Sequence, residues 1–150
     1  MRFVYPARLD QTGPAEVVVS FRDLPECLTS GADEAEALAE ARDALEEAIA
    51  GRIDDGEPIP TPSALTPDER PVAVPADMAA KAAFALAFRE SGLSRVALAG
   101  RLGVDEKIVR RMLAPRHRTA ASRLNEALGA LGQELVVEVR ERAAAPVRGG

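Results

Sequence analysis

The side chains of this chain leave little room for catalysis. Its 150 residues include one histidine, His117, and one cysteine, Cys27. One of each cannot build a Cys/His zinc site, and any Ser-His-Asp triad would have to use His117. Cys27 has no second cysteine to bond with, so it reads as a small buried apolar residue. A metal-dependent nuclease would need clustered carboxylates at strand ends. Asp10, Asp23 and Glu26 are the candidates, and two of them lie in one loop. The rest of the chemistry is charge. Arg95, Lys107, Arg110, Arg111, Arg116, His117 and Arg118 crowd one stretch of the C-terminal half. Such cations can hold phosphate, and an arginine can read guanine through O6 and N7.

The charges are unevenly shared. Residues 1–70 hold six arginines against sixteen acids, a net −10, while residues 71–150 hold thirteen Lys or Arg against eight acids, a net +5. Together they make the −5 of the whole chain. Such a split predicts two domains with different partners. The acidic half repels nucleic acid and could receive a basic protein; the basic half could lie on a phosphate backbone. With 47% hydrophobic and 29% charged residues the composition is globular. No apolar run is long enough to span a membrane, and the N-terminus lacks a signal-peptide stretch, so a cytoplasmic protein is expected.

The elements that must position these residues follow from periodicity. Phe3, Tyr5, Ala7 and Leu9 alternate with polar or small neighbours, which predicts a strand. Pro6 predicts an edge position or a bulge there. Asp10–Pro14 is expected as a loop. Val17, Val19 and Phe21 predict a second strand in a hairpin with the first. Cys27–Ser30 predicts a short third strand ended by Gly31. Asp33 and Glu36 form a capping-box pattern. Ala35, Leu38, Ala41, Leu45, Ala48, Ile49 and Ile53 then predict an amphipathic helix with its acids outward. Prolines are dense between Pro58 and Pro75, which excludes helix. Pro71–Pro75 predicts a fourth, edge strand. The expected N-terminal domain is thus β-β-β-α-β over residues 1–75.

Residues 76–142 read as a helical domain. Asp77–Glu90 is a helix stopped by Gly92. Ser94 caps the next helix, which carries Leu98, Ala99 and Leu102 on one face. Gly103 suits a left-handed turn, Asp105 caps again, and Val109, Met112 and Leu113 face inward. This pattern predicts a helix-turn-helix with the small Ala99 at the crossing. Lys107, Arg110 and Arg111 then point outward from the second helix, as does Glu106. Ser94 and Arg95 at the start of the first helix are further DNA-binding candidates, and Arg116, His117 and Arg118 after Pro115 are candidate backbone contacts. Thr119 is expected to cap a last helix through Leu131. Leu135, Val137 and Val139 alternate as a strand with no partner in the chain, which predicts pairing with a second copy. Residues 143–150 read as a frayed tail. The expected class is α+β, with no cofactor or metal.

The strand hairpin, the segment Asp23-Leu24-Pro25-Glu26-Cys27 with Thr29 and Gly31, and the acidic helix follow one another in order. Asp55-Gly56-Glu57-Pro58-Ile59-Pro60, the helix-turn-helix and the strand Glu134–Val139 complete the set. Over roughly residues 2–140 this order resembles the HicB antitoxins of bacterial toxin–antitoxin systems. The resemblance implies a partial RNase-H-like N-terminal fold without nuclease activity, which covers a small basic mRNA-cleaving toxin of the HicA kind. Asp23, Glu26, Glu40, Asp43 and Glu47 are then the candidate toxin contacts. It also implies operator binding by the C-terminal domain, and the unpaired terminal strand adds the expectation of a homodimer or a higher oligomer. Two other classes stand beside it. A nuclease would lose metal-dependent activity on mutation of Asp10, Asp23 and Glu26. A stand-alone regulator with a sensing N-terminal domain would lack a short basic reading frame beside its gene.

Overall fold

The alternating N-terminal segments build one sheet. In the computed structural model, which describes residues 1–142, β1 (Val4–Gly13), β2 (Glu16–Ser20), β3 (Leu28–Gly31) and β4 (Arg70–Ala73) lie in the order β3-β2-β1-β4. Every neighbouring pair is antiparallel. The expected tail, residues 143–150, lies outside the described residues. Tyr5, Ala7, Val17, Val19, Phe21 and Val72 are buried, as the period of two requires. β1 runs on to Gly13 where a loop from Asp10 was expected. β2 supplies partners for this extension, with a register shift between Gln11 and Gly13 absorbing the mismatch.

Pro6 stands in a strand flanked on both sides, yet costs no ladder bond. β2 pairs with β1 from Arg8 onward, so at Pro6 only β4 is alongside, facing it with Pro71. The Val74 amide donates to the Phe3 carbonyl at 2.9 Å. By antiparallel alternation this makes Pro6–Pro71 a non-hydrogen-bonded pair, where neither missing N–H is needed.

Helix α1 (Glu34–Asp55) packs against the sheet, most closely over β3. Asp33 accepts from the Glu36 amide at 2.8 Å, and the Glu36 carboxylate reaches back to the Ala32 amide at 3.1 Å. The buried stripe is Ala37, Ala41, Leu45, Ile49 and Ala50. Ala35, expected in that stripe, is exposed, and Ala37 takes its place. The reason is the close start of the helix on the sheet. A Cβ on Gly31 would lie 2.3 Å from the Ala37 nitrogen, so only glycine lets the two backbones meet. Gly31→Ala should therefore destabilise the chain by about 3 kcal/mol, read as a lower denaturation midpoint with an unchanged slope.

Between α1 and β4 the chain is irregular but tied down. The Tyr5 hydroxyl donates to the Pro60 carbonyl at 2.7 Å, and burial pushes that phenol up to about 12. Arg22 holds Glu69 through two bonds of 3.0 Å and the Ala64 carbonyl at 2.6 Å.

Four further helices complete the mixed α+β fold: α2 (Ala76–Ser91), α3 (Arg95–Leu102), α4 (Glu106–Leu113) and α5 (Ala121–Ala130). They enclose a second core of Ala80, Phe84, Leu98, Ala99, Val109, Met112, Leu124 and Ala127. α2 is shared. Met78 and Ala82 belong to the sheet's core, while Ala80 and Phe84 belong to the helical one. Pro75 thus separates the two patterns in sequence, whereas packing runs through α2. The stretch expected as a terminal strand, Glu134–Val139, is not laddered in the single chain. A single segment forms ladder bonds only when another strand lies beside it.

Candidate functional site

Two short helices shape the cationic surface. Ser94 caps α3 by accepting from the Ala97 amide at 3.0 Å, and Asp105 caps α4 by accepting from the Lys107 amide at 2.8 Å. Gly103 between them has a φ of 65°, which a side chain would disfavour. Its neighbour Val104 donates to the Ala99 carbonyl at 3.0 Å, closing the turn. Leu98, Ala99, Val109 and Met112 are buried, and the small Ala99 sits within that core as expected. Lys107, Arg110 and Arg111 are left exposed on the outer side of α4.

Glu106 is the exception on that side. Its Oε1 lies 3.2 Å from Arg95 Nε, and its Oε2 accepts from Arg110 Nη2 at 2.6 Å. Arg118 and His117 are exposed in the loop after Pro115, and the His117 amide donates to the Ala114 carbonyl at 3.1 Å. Arg116 is turned the other way. It grips Glu47 of α1 through bonds of 3.1 and 3.0 Å, joining the two lobes. Both partners are exposed, so this bridge contributes little to stability by itself.

The acidic candidates divide. Asp23 accepts from the Ser63 amide at 2.8 Å and hydroxyl at 2.6 Å, which pins the irregular segment. Glu26 pairs with Arg52 at 2.6 and 3.0 Å, and that guanidinium holds its carboxyl below the usual carboxylate range. Glu47 is engaged by Arg116. Glu40 and Asp43 remain as exposed acids on the outer side of α1. Structure therefore assigns Asp23 and Glu26 local architectural roles that composition could not show.

Lys81 was not singled out by periodicity. It is 4% exposed, and its ammonium donates to the Arg111 carbonyl at 3.0 Å, the Met112 carbonyl at 3.0 Å and Thr119 Oγ1 at 2.8 Å. It thus closes the C-terminal end of α4 and fixes the loop that follows. The Thr119 hydroxyl, expected to cap the last helix, is used here instead; α5 starts after Ala120 with no side-chain cap. The available signal was a lone cation inside the small-residue run Ala79-Ala80-Lys81-Ala82-Ala83. Cys27 is buried, and burial pushes its thiol up to about 11, so it is a poor nucleophile.

In the stretch expected to pair between copies, Leu135 donates its amide to Asn125 Oδ1 at 2.8 Å and packs against the second core. Val136, Val137 and Val139 are 77%, 83% and 92% exposed. The expected exposed face therefore keeps Val137 and Val139 and gives up Leu135. Among the described residues, no group of three or more His, Cys, Asp or Glu side chains is placed to hold a metal. No helix among them is long and apolar enough to cross a membrane.

A family model described as the HicB-like antitoxin of bacterial toxin–antitoxin systems matches residues 4–83. The match ends inside α2, the helix shared by both cores. Antitoxin HicB 1 of Photorhabdus laumondii is 36% identical over 135 residues, covering 90% of this chain and 86% of that protein. Antitoxin HicB of Escherichia coli K12 is 36% identical over 131 residues, covering 87% and 95%. Antitoxin HicB 2 of Photorhabdus laumondii is 38% identical over 135 residues, covering 90% and 94%.

Proposed function

This chain belongs to the HicB-like antitoxin family of bacterial toxin–antitoxin systems, and on that premise we propose that it has two binding tasks. One is to cover a small basic HicA-like toxin that cleaves mRNA. The other is to repress its own operon as a cytoplasmic homodimer bound to operator DNA. The observation that carries this reading is the placement of opposite charge on separate helices. Exposed Glu40 and Asp43 lie on α1, and exposed Lys107, Arg110 and Arg111 lie on α4.

For the second task, α3 and α4 act as a helix-turn-helix. Their tight Gly103 turn and buried crossing favour it, and α4 presents its cations to the major groove. Arg110 and Arg111 are the base-reading candidates; Lys107, Arg118 and His117 are backbone candidates. Ser94 serves chiefly as a cap. Arg116, tied to Glu47, is the most constrained of the backbone candidates. For the first task, the sheet with α1 against it acts as a partial RNase-H-like scaffold that has lost catalysis. Asp23 and Glu26 support this, being engaged by Ser63 and Arg52 rather than grouped for a metal.

Toxin neutralisation can be tested in cells that express a HicA-like toxin from a separate promoter. The full chain should restore growth. Glu40→Lys combined with Asp43→Lys should abolish the rescue while leaving the fold and DNA binding intact, because both residues are exposed. Full rescue by that double variant would remove the α1 face from the toxin interface. No rescue by the unaltered chain against the toxin encoded beside it would overturn the toxin-binding reading.

A further inference from the structure

Glu106 is an acid set among the cations that the proposed function directs at DNA, and this placement calls for an explanation. Its two oxygens serve two arginines from different helices. Oε1 faces Arg95 at the start of α3, and Oε2 accepts from Arg110 one turn along α4. The Glu106 side chain is 26% exposed, against 51% for Arg95 and 59% for Arg110. Glu106 is therefore the least exposed of the three charged side chains. It also lies in the first turn of α4, where the helix dipole favours a negative charge.

This geometry has two consequences. An untethered arginine can swing to any phosphate within reach, and each such contact strengthens binding to every sequence alike. Arg95 and Arg110 held by Glu106 lose part of that freedom, and their charge is partly neutralised. Each guanidinium nevertheless carries five N–H donors in a rigid fork, so donors remain for a second acceptor. An acceptor at a base edge in the right position can be met without breaking the pair. A phosphate that approaches out of register meets the carboxylate's repulsion instead.

We propose that Glu106 is a positioning residue that sets the ratio of specific to non-specific DNA binding by holding Arg95 and Arg110. The proposal rests on the reading of α4 as the groove-facing helix. It concerns selectivity rather than overall affinity, and it distinguishes Glu106 from an acid that itself reads a base.

The test compares the full chain with Glu106→Gln on two duplexes. One is the DNA immediately upstream of the chain's own gene; the other is a scrambled duplex of the same length and composition. Glutamine keeps the size and removes the charge. Affinity for the scrambled duplex should rise about tenfold, with a salt dependence steeper by about one counterion. Affinity for the upstream duplex should change much less, so the ratio falls. A purely structural role would move thermal stability and leave the salt slope unchanged. Glu106→Ala, which also removes the acceptor, should lower the ratio in the same direction. In a background carrying Arg95→Ala and Arg110→Ala, Glu106→Gln should lose most of its effect on the ratio.

An unchanged ratio and salt slope in Glu106→Gln, with the unaltered chain still discriminating, would overturn the proposal alone. Loss of upstream binding only, with scrambled binding unchanged, would also overturn it and mark Glu106 as a base reader. An unaltered chain that does not distinguish the two duplexes would overturn the reading of α4, and the proposal with it.

Discussion

Replacing Lys81 with Met should remove about 3 kcal/mol of stability and most of the binding to DNA. Methionine fills similar space but donates no hydrogen bond. The Met112 carbonyl, the Arg111 carbonyl and the Thr119 hydroxyl would each lose the ammonium at 2.8–3.0 Å. A buried acceptor without its donor costs far more than an exposed one. The loss also falls on a mechanical joint, because Lys81 connects α2 to the end of α4 and to the loop carrying Arg116, His117 and Arg118. Once that end frays, Arg110 and Arg111 would no longer be held in the shared orientation that groove binding would need.

The pH dependence gives a second signature of the same residue. Burial pushes the Lys81 ammonium down to about 8 from its ordinary 10.5. Between these values the unfolded chain binds the proton and the folded chain has released it. Stability contributed by this group therefore rises with pH across that window. Urea titrations of both proteins at several pH values would check this. The unaltered chain should show the rise and Lys81→Met should lack it. Equal midpoints for the two proteins at pH 7 would show that the three bonds do not support α4.

Val137→Pro should convert a dimer into monomers and weaken operator binding by about a hundredfold. The chain leaves the second core at Leu135, whose amide is held by Asn125, and then carries Val136, Val137 and Val139 in solvent without regular secondary structure. Three exposed valines in a β-branched run are what a strand awaiting a partner would present. An ion pair in this stretch, Arg2 with Glu138 at 2.9 Å, is exposed and contributes little. Antiparallel pairing with a second copy would cover both the valines and the backbone groups. It would also set two α4 helices roughly 34 Å apart, matching successive major grooves.

Proline at the centre of such a ribbon removes a donor and disrupts the pairing. Mass by light scattering and an operator titration on one sample would read both effects. Neutralisation of the toxin should persist, because the sheet and α1 lie in the other lobe. A Val137→Pro protein that stays dimeric and still represses would refute strand pairing and direct attention to α5.

Much of the architecture could be read from local pattern. The alternation of Tyr5, Ala7, Val17, Val19 and Phe21 and the Asp33–Glu36 cap concern neighbours within a turn or a rung. So do the Ser94 and Asp105 caps and the glycine between α3 and α4. Periodicity and capping report such contacts directly. The family, too, was legible from the order of short motifs along the chain.

What sequence could not decide were contacts between residues distant along the chain. Whether Asp23, Glu26 and Glu47 are open acids depends on Ser63, Arg52 and Arg116, which lie 40, 26 and 69 positions away. Lys81 looks like a surface cation until α4 and Thr119 enclose it. Ala35 yields to Ala37 because the face α1 buries is set by its approach to Gly31, and helical period alone leaves that rotation open. α2 joins two cores because different faces of one helix meet different layers. Residue types and local spacing thus determined most of the elements, the caps of α1, α3 and α4, and the two charge populations. Tertiary structure decided which charges distant along the chain were already paired, because that pairing depends on distances that only the folded chain creates.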